Sequence, residues 1–239
     1  MNSQSHWNAN GISLRNSAIV AGIGLILMAI LAPIANFSIL QNLIVADNAA
    51  STVSNIFAAQ GSFRLAIAIF TIVAVLDIIV AWGLYVLLRP VNKSLSLLTA
   101  WFRIVYAAML GFVLVNLLSV LQMVSNAGYM TPFGAEQVSG MVMLSLSNFN
   151  VGWQLSLIIF GFHLLLLGYL IFKAGYMRKI LGILLVIAAL GYLIDGFGTL
   201  LSPGYDISIS TFTFIGEIVL IFWLLISGGK TRSENSTNN

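Results

Sequence analysis

Long apolar stretches separated by short polar joints run through almost the whole chain. Six of them, near residues 17–37, 62–88, 94–125, 151–172, 178–201 and 207–227, have the length a helix needs to cross a hydrocarbon core about 30 Å thick, roughly 20 residues. The pattern predicts an all-α integral membrane bundle of six transmembrane helices (residues 17–227), with a tail at each end (1–16 and 228–239). The second tail, rich in Ser, Thr and Asn, is expected to be disordered. Pro33 should kink or end the first helix, because proline has no N–H for the turn it sits in.

Two of the polar joints are too apolar to be plain loops. After Asp47, a candidate N-cap, Val53, Ile56 and Phe57 share one face of a short helix. Thr131 and Pro132 supply a cap and a first-turn proline for a second short helix, 133–147, carrying Met141, Met143, Leu144 and Leu146. Both are expected on the outer side, resting on the lipid interface or dipping into the bundle as a lid.

Composition agrees with a membrane solvent. Of 239 residues, 59% are hydrophobic and 7% charged, where soluble domains carry about 25% charge. The net charge of +3 does not describe a nucleic-acid surface, because the basic residues are spread over helix ends. Arg15, Arg89, Lys93, Lys173, Arg178, Lys179, Lys230 and Arg232 fall in alternate connections and the two tails, whereas Asp47, Glu136 and Asp206 occupy the other connections. By the positive-inside rule an even span count then puts both termini in the cytoplasm, in a bacterial inner membrane. The amino-terminal stretch lacks the layout of a cleaved signal peptide, so the first apolar run is expected to remain.

The ions inside the apolar runs carry the chemistry. A charge at the bilayer centre costs at least about 2.5–3.5 kcal/mol, so such groups turn inward and find partners. Asp77 lies in the second run, on a face with Thr71, Ala74, Ala81 and Tyr85, and Arg103 lies in the third. Their depth on adjacent helices predicts a salt bridge, either a ligand-binding pair or one that only fixes which helices are neighbours. His163, with Ser156 one heptad earlier, and Glu217, on a face with Ser210 and Thr213, reach similar depth in the fourth and sixth runs. Together they form a proton relay, or each serves as a helix-to-helix hydrogen bond. Arg64 and Asp195 sit at outer helix ends and either pair at the rim of a vestibule or anchor to the interface. Asn116, Ser119 and Gln122 add a polar outer half to the third helix. Gly182, Ala189 and Gly196 recur every seven residues as a close-packing face. The echoes Phe63-Arg64 with Phe102-Arg103, and LGYLI at 167–171 with 190–194, raise an inverted repeat.

Several chemistries are absent. There is no cysteine, and His6 and His163 are the two histidines, too few for a clustered metal site, so no metal is expected. No phosphate loop, nucleophile elbow or dinucleotide fingerprint occurs. Every lysine lies at or beyond a helix end, which removes a retinal-type Schiff base. Nothing calls for a cofactor.

The stretches FRLAIAIFTIVAVLDIIVAWGLYVLLRPVNKSLSLLTAWFRIVYAAMLG and FHLLLLGYLIFKAGYMRKILGILLVIAALGYLIDGFG resemble a bacterial multi-pass membrane family known only as a domain of unknown function (family 4386). The likeness covers nearly the whole chain and implies a six-helix membrane domain without naming an activity. It places the family's recurring polar residues at Arg64, Asp77, Arg103, His163 and Asp195. Three readings follow: binding or transport of a small molecule, a lipid-like ligand or a proton through Asp77, Arg103, His163 and Glu217; a structural or regulatory subunit; or a membrane enzyme using His163 with a carboxylate. A water-wide cavity reaching Asp77 or Glu217 favours the first, and a dry, filled interior the second. The lipid bilayer is the expected partner in each case.

Overall fold

The computed structural model describes residues 12–125 and 132–228; His6, Thr131, Lys230, Arg232 and most of both tails lie outside the described residues. Within the described residues the chain is all helical: α1 (Leu14–Pro33), a π-helical segment (Ile34–Leu40), α2 (Gln41–Leu43), α3 (Ala49–Ala58), α4 (Gln60–Leu88), α5 (Lys93–Val124), α6 (Ala135–Lys173), α7 (Lys179–Leu201), α8 (Ser210–Thr213) and α9 (Ile215–Ile226). Among the described residues, five helices are long and apolar enough to cross a membrane, the first running unbroken from Leu14 to Leu43.

The six-span expectation changes at the carboxy-terminal end. Residues 207–209 are not helical, α8 is one turn, and the chain breaks at Phe214 before α9. With 12 residues, α9 is about 18 Å long, shorter than the hydrocarbon core. It still closes the bundle. The helices pack in the circular order α1, α4, α5, α6, α7, α9 and back to α1. The side chain of Leu225 lies against Gly22, and Gly228 against Ala18, so the end of α9 sits beside the start of α1.

Other boundaries differ from the pattern for local reasons. Pro33 ends the α-helical repeat, as expected, but the chain stays helical to Leu43: π turns follow at once, and Ala35 and Leu40 stay buried. The cap of α3 is Asn48, which accepts from Ser51 N–H at 2.9 Å, while Asp47 takes a left-handed φ of 58° just before it. The second outer helix is not separate. It forms the first turns of the 39-residue α6, about 58 Å long, because no proline interrupts 147–152 and Val142, Leu146 and Phe149 are already buried on its inner face. Phe149, Phe70 and Trp153 lock this extension to α4 through ring contacts of 5.0–5.9 Å.

Small residues set the tightest seams. A Cβ on Gly168 would stand 2.7 Å from the Gly182 carbonyl, and the heptad Gly182, Ala189, Gly196 is buried towards α6. Large apolar side chains such as Phe112, Trp101 and Phe222 are exposed around the outside of the ring, as lipid contact requires. At one end the turn between α6 and α7 tucks onto α4, with the Tyr176 hydroxyl donating to the Leu87 carbonyl at 2.6 Å. This loop group lies outside the spans, and burial pushes the Tyr176 phenol up to about 12.

Candidate functional site

The centre of the ring is polar. Asp77 projects from α4 below Val73, Arg103 from α5 one turn after Thr99, and His163 from α6 beside Phe160; they are 0%, 2% and 0% exposed. Arg103 Nη2 lies 2.7 Å from Asp77 Oδ1, the salt bridge expected from their depths. Arg103 Nη1 is 3.2 Å from His163 Nε2, and His163 Nδ1 is 2.8 Å from the Thr99 carbonyl. The guanidinium also stands 5.4 Å over the Phe160 ring and reaches Met28 Sδ of α1 at 4.0 Å. One side chain therefore touches α1, α4 and α6 from α5.

The hydrogen-bond pattern fixes the form of His163. Thr99 offers only a carbonyl acceptor, so Nδ1 must carry the hydrogen; arginine offers only donors, so Nε2 must present its lone pair. In this arrangement the imidazole is the neutral Nδ1–H tautomer with both nitrogens engaged. The cluster is not fully satisfied, however. Asp77 Oδ1 meets Arg103 at ion-pair distance without hydrogen-bond alignment, and Asp77 Oδ2 and Arg103 Nε have no hydrogen-bond partner.

Glu217 takes a different place from the one its depth suggested. It sits in the first turn of α9, partly buried, and accepts a 3.0 Å hydrogen bond from the Tyr192 hydroxyl of α7 rather than meeting His163. Phe160 stands between the two groups, 5.6 Å from the His163 ring and 5.4 Å edge-on from Tyr192. The His163–Glu217 contact that a relay needs is not formed; each group instead makes a hydrogen bond to a neighbouring helix, the other alternative its depth allowed. Ser156 is buried but donates to the Trp153 carbonyl of its own helix.

Asp195 uses Oδ1 to accept from Ile209 N–H and the Tyr205 hydroxyl, both at 2.9 Å, and Oδ2 to accept from Ser210 N–H at 2.7 Å. It caps the start of α8. Burial first, then the hydrogen bond to Asp195 and its charge, push the Tyr205 phenol above its ordinary range. Arg64 lies on the exposed face of α4, and no ion pair joins it to Asp195 among the described residues. Asn116 donates to the Val113 carbonyl of its own helix, and Gln122 is exposed farther along α5. Met28, Tyr106 and Phe160, which line the cluster, were not singled out from the sequence. Met28 lies in a run where every neighbour is apolar, so nothing marks it. Tyr106, three residues after Arg103, and Phe160, three before His163, were readable from their spacing.

Two hollows lie elsewhere. One of about 220 Å³ is lined by Asn36, Leu40, Gln41, Leu146, Phe149 and Asn150, and a groove of about 480 Å³ runs along the α6–α7 seam. Neither is lined by Asp77, Arg103, His163 or Glu217. Among the described residues no three His, Asp or Glu side chains group as metal ligands.

A ring of apolar helices around a buried charge cluster defines a multi-pass membrane protein. More particularly, the chain belongs to the family described as domain of unknown function DUF4386, whose model matches residues 20–228. A protein of Archaeoglobus fulgidus described as uncharacterized is 39% identical over 173 residues, covering 72% of this chain and 88% of its own length. No solved structure matches the chain.

Proposed function

We propose that this is a six-pass cell-membrane protein with a structural or regulatory role, in which Asp77, Arg103 and His163 hold the helix ring in one closed arrangement. The observation that carries it is the Arg103 guanidinium, 2% exposed, joined to Asp77 of α4 and His163 of α6. A group so placed specifies which helices are neighbours, since any other pairing strands an ion in hydrocarbon. The return of α9 to the start of α1 supports an even number of passes, and the basic turns at 89–93 and 173–179 support a cytoplasmic side for both ends. The test is a double-mutant cycle on Asp77 and Arg103, read by unfolding in detergent; strict additivity ends the proposal.

A second reading, binding or movement of a small ligand or proton, is favoured by one observation. Asp77 Oδ2 and Arg103 Nε are buried without partners, and an unmet buried polar group costs about 1–3 kcal/mol, more when charged. A purely architectural pair gains nothing by leaving them so. Glu217, just after the break in the last helix, sits where discontinuous membrane helices place ligand contacts. Proton flux into proteoliposomes, followed with a pH-sensitive dye, should then fall in Glu217→Gln. Equal flux in both proteins removes this reading.

A further inference from the structure

The groove on the α6–α7 seam faces outward and is almost wholly apolar, lined by Leu165, Tyr169, Phe172, Ile183, Val186 and Ile187. It exists because Gly168 and Gly182 bring the two backbones together without side chains to fill the cleft above them. At about 480 Å³ it has the size of a ligand site rather than of ordinary surface roughness. Its lining residues belong to the ends of the helices next to the turn 174–178, so the groove opens onto that turn.

Three exposed cations stand at that opening: Lys173, Arg178 and Lys179. Lys173 Nζ lies 5.8 Å over the Tyr169 ring and Lys179 Nζ 5.5 Å over the Phe172 ring, so each ammonium rests on an aromatic that also lines the groove. No acidic residue occurs in the sequence between Glu136 and Asp195 to neutralise them. Arg178, at the N-cap of α7, makes no side-chain hydrogen bond to the first turn, so its guanidinium is not spent on capping the helix.

We propose that the α6–α7 seam is a binding site for an anionic glycerophospholipid, with an acyl chain in the groove and the phosphate between Lys173 and Lys179. The apolar channel and the cations meet at the depth where a lipid passes from tail to headgroup, and a neutral lipid uses only the first of the two features. The site is independent of the interior cluster.

Native mass spectrometry of the full-length protein, offered phosphatidylglycerol and phosphatidylcholine with the same acyl chains at equal concentration, tests this. Wild type should retain phosphatidylglycerol about tenfold better. Lys173→Gln with Lys179→Gln, which leaves Arg178, should cut the preference for phosphatidylglycerol several-fold with little change in melting temperature, since both side chains are exposed. Ile183→Trp, which fills the groove, should lower retention of both lipids. Equal retention by wild type, or an undiminished preference in the double variant, would overturn the site, as would full retention in Ile183→Trp.

Discussion

Replacing Arg103 by Met keeps much of the side-chain volume and removes the charge, so it isolates what the guanidinium does. Asp77 would be left fully buried with its one ionic contact gone, and His163 Nε2 would face no donor. Removing one member of a buried pair costs about 3–5 kcal/mol, most of it the stranded partner. In a chain of this size about 1 kcal/mol moves the midpoint by roughly 2–4 °C, so Arg103→Met should melt on the order of 10 °C lower in detergent. Asp77→Asn leaves a neutral amide opposite a buried cation and should lose a similar amount. The double variant removes both charges together and should recover at least about 2 kcal/mol relative to the sum of the singles. Equilibrium unfolding of the four proteins in one detergent, followed by tryptophan fluorescence, reads the coupling. A double variant equal to the sum of the singles within about 0.5 kcal/mol would refute the argument that this contact holds the ring.

Gly182→Ala should destabilise by about 1–3 kcal/mol, because its Cβ would press on the Gly168 carbonyl and the Phe172 backbone, whereas Gly111→Ala, with open space around it, should not; thermal melts of the pair check this. Asp195→Ala removes the cap of α8 and should cost about 0.5–2 kcal/mol while speeding amide exchange at Ile209 and Ser210 before the rest of the chain. Tyr176 carries the pH test. Its ionisation moves from about 10 unfolded to about 12 folded, so its contribution is complete below pH 10 and is lost as pH rises towards 12. Tyr176→Phe should therefore be less stable than wild type near neutrality, and the difference should shrink across that window in a pH series of melts.

The helices were legible because period-independent apolar runs of membrane length leave one solution for the backbone, a helix. Their ends were less so. The sequence around 147–152 reads as a joint since it is polar, Ser-Asn-Phe-Asn, yet Phe149 is buried against Phe70 and Trp153, and that packing carries α6 straight through. The opposite happened at 207–214. There the residues are apolar enough to read as a span, and the helix is interrupted because Asp195, from another helix, takes the N–H groups at Ile209 and Ser210 and starts α8 late. Both differences arise from long-range contacts, which a window of sequence does not contain.

The same distinction separates the parts of the interior that could be read from those that could not. Burial cost says that an ion must have a partner, and for Asp77 and Arg103 it also says which, because adjacent antiparallel helices bring equal depths together. For Glu217 depth alone did not suffice. Its helix packs against α7 and α1, so the nearest polar atom is the Tyr192 hydroxyl, and Phe160 fills the space towards His163. His163 in turn is already committed, donating to Thr99 and accepting from Arg103. A relay through His163 therefore requires it to let go of Arg103 before taking a proton on Nε2, since the lone pair is the contact. Protonation and the helix lock are mutually exclusive in this geometry. His163→Gln separates the two roles, because an amide can still accept from Arg103 and donate to Thr99 but takes up no proton in the accessible range. A variant that keeps the wild-type melting temperature and loses dye-detected flux would assign the histidine to proton movement; one that keeps both would assign it to the lock.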